Sequence, residues 1–422
     1  MSTCMDRRWT VVITCVTLLL SAAGAASAQT ATSAAPPPAQ SAPKSTAQKP
    51  GGAGSAQFDA LVKQATAARQ AEQWEDAAAL FTKAIKLRPD YAEGYWYQGA
   101  AYYQLDKFAE CKESFRRVTK LSPTHGAAFA FLGLCEFGLK EYDRSLQHLM
   151  QSRILGVADK ELGGTARYHA SILMTRIEQF QQALQTLGEF ALEGTDNPRI
   201  IEAMGIATLR MPMLPTELPP DRREMVLMAG RGSYQMATRQ TKAAAKAFEA
   251  LVARYPETPN VHYAYGVYLL IEQPAQAIEE FKKELNVQPN DSETLMQIAY
   301  QYLKDSNAAE ALPWAQKAVD AAPNNYASHR ALGEALVETG NTTEGIAHLE
   351  QAIKLAPESP SAHFALAKAY QRVGRSADAQ RERSEFTRLD RLARTNRSGA
   401  QSVGGIETDR VQPAPPGSQQ QQ

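Results

Sequence analysis

Prolines 89, 123, 256, 289, 323 and 357 recur at intervals of 33 or 34 residues, broken by one long gap between Pro123 and Pro256. A fixed period in the thirties restricts a chain to a stack of small supersecondary units, each burying its apolar face against the next. The residues upstream repeat as well. Twelve positions before the prolines stand Ala77, Cys111, Ala244, Ala277, Ala311 and Gly345, all small. Eight before stand Phe81, Phe115, Phe248, Phe281, Ala315 and Leu349. Twenty-four before stand Ala65, Gly99, Gly232, Ala299 and Gly333, with Gly266 one place out of register. Small residues at matching places in two helices let them approach closely. The large residue fills the space toward the next pair, and the proline ends the second helix.

This pattern resembles the tetratricopeptide repeat (TPR), and the resemblance implies an all-α fold: a right-handed superhelical solenoid of antiparallel helix pairs. Counting back from each proline gives repeats at 58–91, 92–125, 225–258, 259–291, 292–325, 326–359 and a last one from 360. Two more fit after Pro123. One spans 126–159, with Gly133, Tyr142 and Leu149 in register and Val157 where the proline would be; the other spans 164–197, with Ser171, Phe180 and Ala183. That makes nine repeats, four in a block over 58–197 and five in a block over 225–393. Between the blocks, 198–210 reads as one amphipathic helix with Ile201, Gly205 and Leu209 on one side. Pro212, Pro215, Pro219 and Pro220 then forbid a helix. The second helix of a repeat is therefore expected to be missing over 198–224 and replaced by an extended loop, which is either a bend in the array or a binding element.

Residues 1–28 have the grammar of a secretory signal: Arg7 and Arg8, an apolar stretch from Trp9 to Leu20, and Ala26-Ser27-Ala28 before Gln29. The apolar run is shorter than the roughly 20 residues of a membrane span. The expectation is a cleaved chain outside the cytoplasm, periplasmic or secreted, with no stable membrane span. Residues 29–57 and 394–422 lack periodicity and read as a disordered tether and tail. The helix expected over 377–395 alternates Arg381, Arg383, Arg388, Arg391 and Arg394 with acids, as suits a polar cap on a solenoid end. After cleavage two cysteines remain, Cys111 and Cys135. Export permits a disulfide, but two buried free thiols are the expectation, because unpaired cysteine is commonly a core residue.

Chemistry for catalysis is sparse. The 45 basic and 45 acidic side chains balance, which argues against nucleic acid as a partner. No HExxH, GxSxG, Walker-type or CxxC motif occurs. His262, His329 and His363 fall at equivalent places, yet repeats stand ~10 Å apart, too far for shared metal bonds of ~2 Å. No cofactor and no metal are expected. In TPR proteins the first helix of each pair lines the concave side. By register, that resemblance places Trp96, Tyr103, Phe137, Tyr168, Tyr263, Met296, Tyr300 and Phe364 on the groove, as anchors for a protein or peptide partner. One subfamily grips a terminal carboxylate with Lys and Asn; the corresponding places here hold Val62, Thr66 and Tyr97, so that clamp is absent. The leading reading is thus a non-enzymatic scaffold or adaptor. Two alternatives stand beside it: a hydrolase or transferase hidden in the degenerate stretch 160–224, and an envelope-polysaccharide-binding protein.

Overall fold

The computed structural model describes residues 53–401, and within them the chain is all helix and turn. Readings for 1–28, for 29–52 and for 402–422 lie outside the described residues. Nineteen α-helices are described, packed in sequence order. The first four pairs are α1 (Ala53–Gln70) with α2 (Trp74–Leu87), α3 (Ala92–Gln104) with α4 (Phe108–Leu121), α5 (Gly126–Gly138) with α6 (Tyr142–Leu155), and α7 (Lys160–Arg176) with α8 (Phe180–Leu192). A single helix α9 (Pro198–Thr208) follows. Then come α10 (Arg223–Ala237) with α11 (Thr241–Arg254), α12 (Val261–Leu269) with α13 (Pro274–Val287), and α14 (Ser292–Lys304) with α15 (Ala308–Ala321). The last pairs are α16 (Tyr326–Glu338) with α17 (Thr342–Leu355) and α18 (Pro360–Arg372) with α19 (Ser376–Gln401).

The repeating residues do what their sizes demand. Ala77, Cys111, Ala244, Ala277 and Ala311 are wholly buried, as are Phe81, Phe115, Phe281, Ala315 and Leu349. A side chain on Gly99, Gly232, Gly266 or Gly333 would run into Phe115, Phe248, Phe281 or Leu349, at 2.5–2.9 Å from the added carbon. Small residue on one helix and bulky residue on the other are thus one lock. Each second helix ends where expected: Arg88, Ser122, Ala322 and Ala356, just before Pro89, Pro123, Pro323 and Pro357, have left the helical region. The tight turn inside eight of the nine pairs carries one left-handed residue, Glu72, Asp106, Lys140, Glu178, Arg239, Ser306, Gly340 or Gly374; the turn between α12 and α13 has none.

Three features differ from the sequence expectations. Residues 53–57 belong to α1 rather than to a tether, since helix-compatible Ala53, Ser55 and Gln57 follow directly on Gly52. At the other end α19 runs on to Gln401, prolonged by the Arg394–Asp390 pair one turn apart. Finally, Cys111 and Cys135 are not free thiols. They join in a disulfide between α4 and α5, with Cα atoms 6.0 Å apart. The small-residue position of one repeat faces the first helix of the next, which brings the two thiols together across a repeat boundary.

In the centre, α9 has no second helix of its own. Its neighbour is α10, and they cross at glycines: a side-chain carbon on Gly205 would lie 1.8 Å from the Val226 carbonyl, and one on Gly230 1.9 Å from that of Ile201. Thr208 and Ser233 hydrogen-bond beside the crossing at 2.6 Å. The loop between these helices is packed down: Leu209, Met211 and Leu214 are buried, and Leu209 and Met211 join the core of the following repeats, with Met213 and Leu218 packed against it. The expectation of a purely extended loop is corrected: Pro215 and Pro220 each open a single turn of 3-10 helix, Pro215–Glu217 and Pro220–Arg222, where a proline's fixed φ suits the first position.

Candidate binding face

The eight register-selected residues do not form one continuous line. Trp96 and Tyr103 are core, at 0% and 3% exposure. Trp96 meets Phe115, Phe131 and His125 edge-on at 5.2–5.5 Å, and Tyr103 packs on Phe131 at 5.5 Å. The expectation that these two line a groove is therefore corrected. Aromatic side chains seal both: Phe115 of α4 and Phe131 of α5 close over Trp96, and Phe108 of α4 and Phe131 over Tyr103, so the places that face a partner in an open array are filled here from within the chain. Burial pushes the Tyr103 phenol up to about 12. Phe137 and Tyr168 are half-buried. Phe137 lies edge-on to the His169 ring at 4.6 Å, and Tyr168 is pushed up to about 12 by burial, then by Glu202.

Tyr263 is covered from within the chain. Arg210, at the start of the proline-rich loop, lays its guanidinium 4.8 Å from the Tyr263 ring centre. The same side chain donates to Asp291 at 2.9 and 3.0 Å and to Asn260 at 3.2 Å. Asp291 in turn caps α14 by accepting the Thr294 N–H at 3.0 Å. Burial raises the Tyr263 phenol above its ordinary range. On the other side Glu217 binds Arg176 at 3.0 Å. The loop is thus tied to α7 on one flank and to α12 and α14 on the other, all of them first helices or an extension of one.

Beyond that strap the face opens. Met296 is half-buried, whereas Tyr300 and Phe364 are exposed, at 40% and 49%. Between them Arg330 reaches the Tyr300 ring at 5.9 Å and pairs with Glu334 at 2.6 Å. Phe364 leans on Phe386 of α19 at 5.3 Å. Arg330 and Phe386 escaped the sequence reading because only the aromatic register was followed, and a cation between two aromatics has no period of its own. Tyr326, at the start of α16, is 41% exposed as well.

The histidines at equivalent places are struts. His262 bonds Glu280 at 2.6 Å and His363 bonds Glu382 at 2.7 Å, each joining first helix to second. His329 and His363 also donate to the carbonyls of Pro323 and Pro357, the residues that end the preceding repeats. In the eighth repeat a histidine replaces the acid, and His329 meets His348 at 2.9 Å. No group of three metal-ligating side chains occurs among the described residues. In the degenerate stretch, His169 bonds the Thr165 carbonyl at 2.8 Å, and its ring is held below its ordinary value by burial.

Models of the tetratricopeptide repeat match residues 59–91 and 92–125, and a further TPR-repeat model matches 333–374. A model described as ChAPs (Chs5p-Arf1p-binding proteins) matches 225–352. No curated protein matches the chain. Among solved structures, MamA from Desulfovibrio magneticus RS-1 is similar at 21% identity, covering 40% of this chain and 96% of that one, with a TM-score of 0.37. The APC/C hetero-tetramer Cut9–Hcn1 is similar at 12% identity over 82% of this chain and 89% of that one, also with a TM-score of 0.37.

Proposed function

This chain is a tetratricopeptide-repeat protein, and from that premise we propose that it is a non-enzymatic scaffold holding an extended polypeptide on the first-helix face of its last three repeats. Repeats of this kind act through long surfaces built from the same helix of successive units. The observation that carries the placement is the contrast in exposure along the first helices. Trp96 and Tyr103 are sealed in the core and Tyr263 is covered by Arg210, while Tyr300 and Phe364 present aromatic surface. Rigid aromatics beside an arginine are the side chains that dominate binding hot spots.

The scaffold works outside the cytoplasm in this reading. Two independent features support that location: the signal grammar ending at Ala26-Ser27-Ala28, and the disulfide joining Cys111 to Cys135, a bond that persists in oxidising compartments. Replacing Tyr300 or Phe364 with alanine should weaken a captured polypeptide partner by about thirtyfold each, on the order of 2 kcal/mol, with melting unchanged. Unchanged affinity in the double variant would place the partner elsewhere.

A further inference from the structure

The first two repeats carry cations that the fold does not use. Lys83, Lys86, Arg117 and Lys120 are exposed, and none has a hydrogen bond or ion pair among the described residues. They stand at the same two places in successive repeats, six and three residues before Pro89 and Pro123. One residue after each pair, Leu87 and Leu121 are both 42% exposed; in the third repeat Ile154, 74% exposed, stands at the place of Lys86 and Lys120, beside half-buried Leu155.

Later repeats treat the same places differently. Before Pro256 both hold alanine, Ala250 and Ala253. Before Pro289, Lys283 is bound by Glu280 at 2.7 Å, and Asn286 follows. Before Pro323, Lys317 lies over Trp314 and the second place is Asp320. The unpaired, doubled cations with an adjoining exposed leucine are therefore local to α2 and α4. Helix C-termini favour a nearby cation, which accounts for Lys86 and Lys120 but not for the leucines beside them. Acids do little to quench the cluster. Glu75 and Asp76 lie seven or more residues from Lys83, roughly 10 Å along the helix and about one Debye length at 0.1 M salt. Glu113 is taken by Arg116, and Asp90 lies beyond Pro89.

We propose that this ridge docks on the anionic phospholipid surface of a bilayer, Leu87, Leu121 and Ile154 entering the headgroup layer and the four cations lying at phosphate level. Exposed aliphatic residues flanked by cations suit a membrane interface, where the apolar side chain inserts and long basic side chains reach back to the phosphates. An acidic polypeptide would satisfy the cations but leave Leu87 and Leu121, at the same place one repeat apart, with nothing to bury them. The chain would then sit on a membrane by its first repeats without spanning it, consistent with no described helix being long and apolar enough to cross one.

The test is sedimentation of the full chain with vesicles of phosphatidylcholine alone and of phosphatidylcholine mixed with phosphatidylglycerol, at low and at physiological salt. Binding should require phosphatidylglycerol and weaken as salt rises. Neutralising one cation, as in Lys86→Gln or Lys120→Gln, should lower the affinity about fivefold, and neutralising all four should abolish it. Leu87→Ser with Leu121→Ser should weaken binding at either salt. The salt series on the unaltered chain stands even if the fourfold variant misfolds. Equal binding to both vesicles would overturn the proposal, as would no binding, or capture of soluble poly-glutamate in place of vesicles.

Discussion

Trp96 offers the sharpest separation of packing from binding. A tryptophan buries roughly 150–250 Å², which at ~25 cal/mol per Å² gives about 4–6 kcal/mol as an upper bound. Its indole N–H is buried with no partner, an orphan donor that gives back about 1–3 kcal/mol. Trp96→Ala should therefore destabilise the first repeats by about 1–5 kcal/mol, the upper part of that range being the usual cost of a large core truncation. Trp96→Phe keeps an aromatic against Phe115 and Phe131 and removes the orphan, so it should cost only about 0–2 kcal/mol. Tyr300→Ala loses one cation–π contact with Arg330 and should cost under about 1 kcal/mol. A solenoid can unfold in parts, so urea titration followed by circular dichroism belongs with hydrogen exchange resolved to α3–α5. Stability loss in α3–α5 for Trp96→Ala, with none in α14 for Tyr300→Ala, is the expected outcome. If Trp96→Ala cost less than about 1 kcal/mol, or Tyr300→Ala as much as 3, the division into sealed and open parts would be wrong.

Reducing the Cys111–Cys135 bond, which closes a loop of 24-residue separation, should remove about 3.5 kcal/mol in the chain-entropy picture, read as a lower urea midpoint with reductant; no shift would mean the bond is not formed. His348 is held below its ordinary value by burial and then by His329, with Glu344 opposing. A depressed pKa contributes stability that is full above about 6.5 and declines as the pH falls below it. His348→Glu would restore the histidine–carboxylate pair of the sixth and ninth repeats and should flatten that decline, measured by melts between neutral and mildly acidic pH; an unchanged slope would refute the role of the pair. Ser306 sits at φ 59° where the two following repeats use Gly340 and Gly374, so Ser306→Gly should stabilise by up to about 1 kcal/mol; a loss instead would mean the serine side chain has a role in the turn.

The repeat architecture was legible because it rests on size at fixed spacing. Gly99 against Phe115 and Gly333 against Leu349 are steric facts that period alone exposes. The binding face was legible only in part. The first-helix resemblance assigns Trp96 and Tyr300 to the same face, but whether neighbouring aromatics fill the space over a residue decides whether it meets a partner or the protein's own core. Phe131 of α5, which packs on both Trp96 and Tyr103, was the available signal. Arg210 over Tyr263 had no signal of its own, because a loop that folds back across several repeats makes contacts that no local pattern encodes. The disulfide was hidden for a related reason: a 24-residue separation in sequence is neighbouring position across a repeat boundary.

The most direct test of the scaffold assignment is site-specific photo-cross-linking in the native host, with the reactive side chain placed in turn at 300, at 364 and, as an internal control, at the buried position 103. The open-face assignment predicts that one and the same polypeptide is captured from 300 and 364 and lost on mutating Arg330, with nothing intermolecular from 103. Capture from neither exposed position, while the chain still holds its partner, would contradict it.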